Sequence, residues 1–189
     1  MEWVLVAVVV VLLCVVGALV LRQRRTAQLR EGFGPEYDRV LRERGDQRAA
    51  ETELRERRER RGTYDIRPLD EAARLRYADR WKATQRRFVD QPASALGQAD
   101  ELVGEVMRDR GYPVEDFEQQ AADVSVDHPT VVEHYRAAHA VSIANADQRA
   151  STEDLRQAMV HYRALFEVLL EDGADGDGER TRGDVKEVR

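Results

Sequence analysis

Residues 151–170 read STEDLRQAMVHYRALFEVLL, and the spacing of their apolar side chains decides the fold class. Leu155, Met159, Tyr162, Phe166 and Leu169 recur at intervals of four and three, the period of one helical face. Ser151, followed three residues on by Asp154, is a capping box with Asp in place of Glu or Gln, which starts the helix at that point. A stripe this apolar needs other helices to cover it.

Upstream the same period returns. After Pro68, the residues Leu69, Ala73, Tyr77, Trp81, Thr84 and Phe88 share one stripe, which should end near Asp90 because Pro92 biases Gln91 toward extended geometry. A second stripe runs through Ala95, Ala99, Leu102, Val103, Val106 and Met107 and stops at Gly111 and Pro113; the short connection between the two predicts an antiparallel hairpin. Val114, Phe117, Ala121 and Val124 predict a shorter helix that ends before a turn at 125–129. Asp127 is placed to cap the next helix, with Pro129 in its first turn and Val132, Tyr135, Ala138, His139, Ser142 and Ala146 along it.

Nearer the start, 35–61 reads as helix with a break available at Gly45, where Asp46 can cap the continuation, and Gly62 and Thr63 close it. Glu51 and Arg55, Glu53 and Arg57, and Glu56 and Arg60 stand four apart in the favourable order, about 0.2–0.5 kcal/mol each, so this helix can stand in water with little packing. After Leu41 it offers only Ala49, Ala50 and Leu54 as apolar residues, too few for a coiled-coil seam. No segment alternates as a strand does, and no repeat appears at solenoid periods. The expectation is an all-α chain with a compact bundle of four or five helices between about 69 and 170.

The 189 residues suit one domain with appendages. Four divisions follow: an anchor at 1–21, a basic, charge-laced helical spacer at 22–62, the bundle domain at 63–171, and a tail at 172–189. The tail is rich in Gly, Asp, Glu and Arg and lacks a repeating apolar pattern, which predicts disorder. The anchor is read from 3–21, nineteen residues without a charge, fourteen of them Val or Leu. At 1.5 Å per residue they reach about 28 Å, against about 30 Å of hydrocarbon, which predicts a single transmembrane helix. Met1 and Glu2 give no basic leader and Leu19-Val20-Leu21 no small-residue exit, so cleavage as a signal peptide is not expected. Leu13 before Cys14 also departs from a lipoprotein signal. Arg22, Arg24 and Arg25 follow the span, which predicts a cell-membrane protein with its folded domain in the cytoplasm; the competing reading is a domain exported behind an uncleaved anchor.

The net charge of −6 hides a division. Residues 22–62 hold thirteen Arg against nine acidic residues, whereas 63–189 hold seventeen basic against twenty-six acidic. Only Lys82 and Lys186 are lysines, a bias toward Arg that suits a GC-rich bacterial genome. The lone Cys14 excludes an internal disulfide.

Chemistry-bearing residues are sparse. His134 and His139 are five apart, and His139 and His161 have no carboxylate three or four away in a helical metal pattern, so no metal, cofactor or catalytic residue is assigned. Asp175, Asp177 and Glu179 open like a calcium loop, but Arg180 and Lys186 occupy the positions that need Gly and Glu. Glycines 173, 176 and 178 precede no strand-to-helix turn, and no Walker or dinucleotide fingerprint exists. Ser94, Ser125, Ser142 and Ser151 sit in no nucleophile elbow. The Arg-rich 22–61 alternates with Glu and offers only Phe33 and Tyr37 for base stacking, so nucleic acid is not an expected partner.

The run FGPEYDRV at 33–40, with Glu43-Arg44-Gly45-Asp46 and Ala49-Ala50-Glu51 after it, resembles an uncharacterised bacterial family of small proteins with an N-terminal apolar segment. The likeness continues through Arg80-Trp81, Arg87-Phe88-Val89-Asp90, Arg110-Gly111-Tyr112-Pro113, Asp127-His128-Pro129 and His161-Tyr162-Arg163. Such proteins are labelled hypothetical or secreted. The resemblance implies no activity, cofactor or catalytic residue, and the secreted label argues for the exported topology.

These features together lead to an expected membrane-anchored helical interaction or structural protein, bound to the bilayer through 3–21 and to a protein partner through a helix face or its acidic surface. The alternatives are a small hydrolase or stress-related enzyme that uses His128, His134, His139 or His161 with a carboxylate, and binding of RNA or anionic lipid by the Arg-rich spacer.

Overall fold

A computed structural model describes the backbone of residues 2–171 and the side chains of residues 3 and 12–171. Among the described residues the chain is eight α-helices without a strand: α1 (Glu2–Phe33), α2 (Pro35–Arg44), α3 (Gln47–Arg61), α4 (Glu71–Phe88), α5 (Pro92–Asp109), α6 (Phe117–Asp127), α7 (Val132–Ala146) and α8 (Thr152–Glu171). The expected tail at 172–189 lies outside the described residues. The chain divides into two compact units, Met1–Glu56 and Arg57–Arg189.

The transmembrane span expected over 3–21 is corrected. Among the described residues no helix is long and apolar enough to cross a membrane. α1 has the length, but from Arg22 onward it is charged and polar. Arg22, Arg24 and Arg25 follow within the same helix, which runs on as polar sequence to Phe33. The single-pass topology, the cell-membrane location and the cytoplasmic placement of the domain rested on that span and fall with it.

The first unit also departs from a solvated spacer. Leu29, Phe33, Tyr37, Val40, Ala50 and Leu54 are buried, and so is Glu36, which Arg39 grips through two hydrogen bonds of 2.8 and 2.9 Å. Glu51 accepts hydrogen bonds from Thr26 (2.8 Å), Gln47 (2.7 Å) and Tyr37 (3.4 Å), which ties α1, α2 and α3 together at one carboxylate. Burial works to raise that carboxyl, but the three donors outweigh it and hold it below its ordinary value. The break at Gly45 is as expected: φ is +67° and Asp46 Oδ2 accepts from Ala49 N–H at 2.9 Å to start α3.

In the second unit α4, α5, α7 and α8 each give one face to a common core, with α6 laid against α7. Asp70 caps α4 by accepting from Ala73 N–H at 2.6 Å. Pro92 takes the first position of α5, where its missing N–H costs nothing. The capping box of α8 forms in both directions, Asp154 N–H donating to Ser151 Oγ (3.2 Å) and Ser151 N–H to Asp154 Oδ2 (2.9 Å). α5 ends at Gly111, with φ of +96°, over which the extended chain at 65–67 passes: Arg67 N–H donates to Arg110 O at 2.9 Å. Arg110, buried, reaches Leu169 O in the last turn of α8 at 3.0 Å, a favourable place for a cation.

The turn expected at 125–129 begins three residues later than predicted. Ser125 lies inside α6, where its hydroxyl bonds back to Ala122 O at 2.6 Å. Asp127 belongs to the last turn of α6 rather than to the cap of α7, and accepts from Arg61 Nε (2.6 Å) and Tyr112 Oη (2.5 Å). Pro129 accordingly precedes α7 and stands outside its first turn.

Candidate functional site

α4 and α8 both pack on α5, and a groove of about 470 Å³ runs between them. Its α4 wall is Arg74, Leu75, Ala78, Trp81, Lys82 and Gln85, a stripe set by helical spacing; its α8 wall includes Arg163, Phe166 and Leu170. The floor is the stack of Trp81 on Phe166, ring centroids 4.6 Å apart and planes within 19°. Two properties distinguish this groove from ordinary helix surface. Leu75 at its rim is 58 % exposed, and the buried Trp81 Nε1 makes no hydrogen bond among the described residues. An indole N–H buried without an acceptor costs about 1–3 kcal/mol.

A second cluster gathers around Asp100 of α5. Tyr162 Oη on α8 donates to its Oδ1 at 2.6 Å, Ser142 Oγ on α7 lies 3.4 Å from Oδ2, and His139 Nδ1 stands 3.8 Å away. Burial pushes the Asp100 carboxyl upward, but His139, Tyr162 and Ser142 outweigh it and hold it below the usual carboxylate value, while burial and the carboxylate drive the Tyr162 phenol strongly up. The cluster borders a groove of about 420 Å³ that also carries Glu105, Phe117 and Tyr135.

A folded carboxyl pKa below the unfolded one stabilises the fold above the unfolded value and loses that contribution as pH falls through the folded value. Tyr162→Phe should therefore cost about 1.5 kcal/mol at pH 7, moderated by the partial exposure of Asp100, with the difference from wild type shrinking below about pH 4. Urea denaturation at the two pH values measures it.

The histidines divide into three environments. His139 lies face to face with Phe117, centroids 3.6 Å apart, and its Nδ1 makes no hydrogen bond among the described residues. His128 is buried at the end of α6, where its N–H donates to Val124 O at 2.8 Å. His134 and His161, which the sequence separates by twenty-seven positions, meet across α7 and α8 with their Nδ1 atoms 2.8 Å apart. Among the described residues no group of three or more His, Cys, Asp or Glu is placed to hold a metal ion.

The remaining candidates disperse. Ser94 is exposed, Ser151 is spent on the α8 cap, and Ser125 on α6 itself. Asp175, Asp177, Glu179 and the glycines beside them lie outside the described residues. Phe33 and Tyr37, the two aromatics of the Arg-rich segment, are each 1 % exposed and cannot stack on bases. Sequence reading missed the groove, although one signal was present: Leu75 is apolar and falls off the core stripe of α4. Compared with protein-family models, curated proteins and solved structures, the chain finds no match.

Proposed function

We propose that the second unit is an interaction module that seats a segment of a partner protein in the groove between α4 and α8. The observation that carries this reading is the exposed Leu75 at the rim of a groove floored by the buried stack of Trp81 on Phe166, whose indole N–H has no acceptor among the described residues. A folded domain gains nothing from leaving Leu75 wet, whereas a partner that lays an apolar side chain against it in the groove would bury it.

The test is affinity capture with the full chain as bait. Leu75→Glu puts a charge at the rim without touching the core, and should remove a specifically retained protein from the eluate. Val160→Glu, on an exposed position of α8 that does not line the groove, should retain it. The proposal fails if both variants retain the same partner, or if wild type captures nothing that Leu75→Glu does not.

A further inference from the structure

The two residues that precede Tyr135 and Tyr162 in the chain are His134 and His161, and the tyrosines explain why the histidines meet. Tyr135 and Tyr162 are buried, with ring centroids 6.3 Å apart in an edge contact, which fixes the rotation and register of α7 against α8. One position earlier on each helix, the imidazoles are then set side by side at the solvent boundary, centroids 4.8 Å apart, planes within 22°, Nδ1 to Nδ1 2.8 Å. In the metal-free pair one Nδ1–H donates to the other Nδ1, and the backbone thus holds the two ring nitrogens together before any ligand arrives.

We infer that His134 and His161 form an open, two-imidazole site for a divalent transition-metal ion of the copper(II) and nickel(II) kind. The spacing carries the choice of metal. With metal–nitrogen bonds of about 2.0–2.1 Å, two cis ligands at a right angle stand about 2.9 Å apart, and two tetrahedral ligands about 3.3 Å apart. The metal-free 2.8 Å, a hydrogen-bond distance, already lies close to the cis spacing of a square-planar or octahedral ion, whereas tetrahedral zinc would need the rings to part. The metal would take Nδ1 of both rings, the ring that donates in the metal-free pair shifting its proton from Nδ1 to Nε2, and water would fill the other positions. Partial burial and the neighbouring His134 lower the pKa of His161, which favours its neutral, ligating form. Magnesium and calcium, which prefer oxygen, are not expected to bind.

The test is calorimetric titration of the metal-free full chain with nickel chloride, in parallel with thermal melting. Wild type should give a one-to-one isotherm and a rise in Tm. Both should be lost in His134→Gln and in His161→Gln, and both kept in His139→Gln, whose imidazole lies elsewhere. His134 is exposed, so its replacement leaves the packing intact, and metal-free circular dichroism melts verify that each variant folds. The inference is overturned if wild type gives no isotherm, or if the isotherm survives in the folded His134→Gln variant.

Discussion

Gly111→Ala should destabilise the second unit by about 4 kcal/mol, more than an added methyl at any other described glycine. Two costs combine. The residue sits at φ +96°, where an L side chain is strained by roughly 1–2 kcal/mol. The added Cβ would also lie 2.4 Å from Asp65 O and 3.3 Å from its carbonyl carbon, so backbone rather than a flexible side chain must give way, at roughly 1–3 kcal/mol more. That displacement pulls on the hydrogen bond from Arg67 N–H to Arg110 O, which pins the crossing segment to the end of α5. Gly45→Ala supplies the control: φ is +67° but a Cβ there meets nothing within 4 Å, so only the conformational cost of about 1 kcal/mol should appear. Guanidinium denaturation of the two variants separates steric closure from backbone strain, and equal losses would contradict the contact at Asp65.

Phe166→Ala should cost about 4 kcal/mol by the same measurement. The ring is 2 % exposed and belongs to the shared core of α4, α5, α7 and α8, so its removal leaves a cavity bounded by several helices that cannot all move in. It also removes the stack that supports Trp81, about 0.5–1.5 kcal/mol in its own right and not fully additive with the cavity. Val160→Ala, on the solvent side of the same helix at 51 % exposure, should change stability by less than about 0.5 kcal/mol. A loss at Phe166 no greater than that at Val160 would mean that α8 does not pack as described.

What the sequence made legible is what local chemistry controls. The Ser151 and Asp154 box, the left-handed Gly45 with Asp46 behind it, and the stop at Gly111 each depend on residues within four positions, and the structure has all three. The end of α6 was misread because composition around Ser125 and Asp127 looks like a turn. In the fold that stretch is held helical by partners far along the chain, Arg61 to Asp127 and Arg57 to Ser125, which no local pattern displays. The Arg-rich segment was misread for a related reason. Its charges suggested pairs along one helix, yet Arg60 joins Asp123 at 3.1 Å and Glu51 serves Thr26 and Tyr37. Ala50 and Leu54, sparse in a count of apolar residues, prove to be fully buried neighbours on one face of α3.

The candidate sites were less legible than the fold. Each requires knowing which helices lie side by side: α4 with α8 for the groove, α7 with α8 for the histidine pair. Hydrophobic period gives the inward face of each helix but not its neighbour, so His134 and His161 stayed unrelated in the sequence. Leu75, like Ile143 and Val160, is an apolar residue pointing away from the stripe that its own helix buries.

The measurement that bears most directly on the interaction module is site-specific photocrosslinking in living cells. A photoreactive phenylalanine analogue replaces Leu75 at the rim of the α4 and α8 groove in one variant, and Ile143, exposed on α7, in another. The groove reading predicts a discrete covalent adduct from position 75 and none from position 143. Adducts of the same size and yield from both positions, or none from position 75, would contradict it.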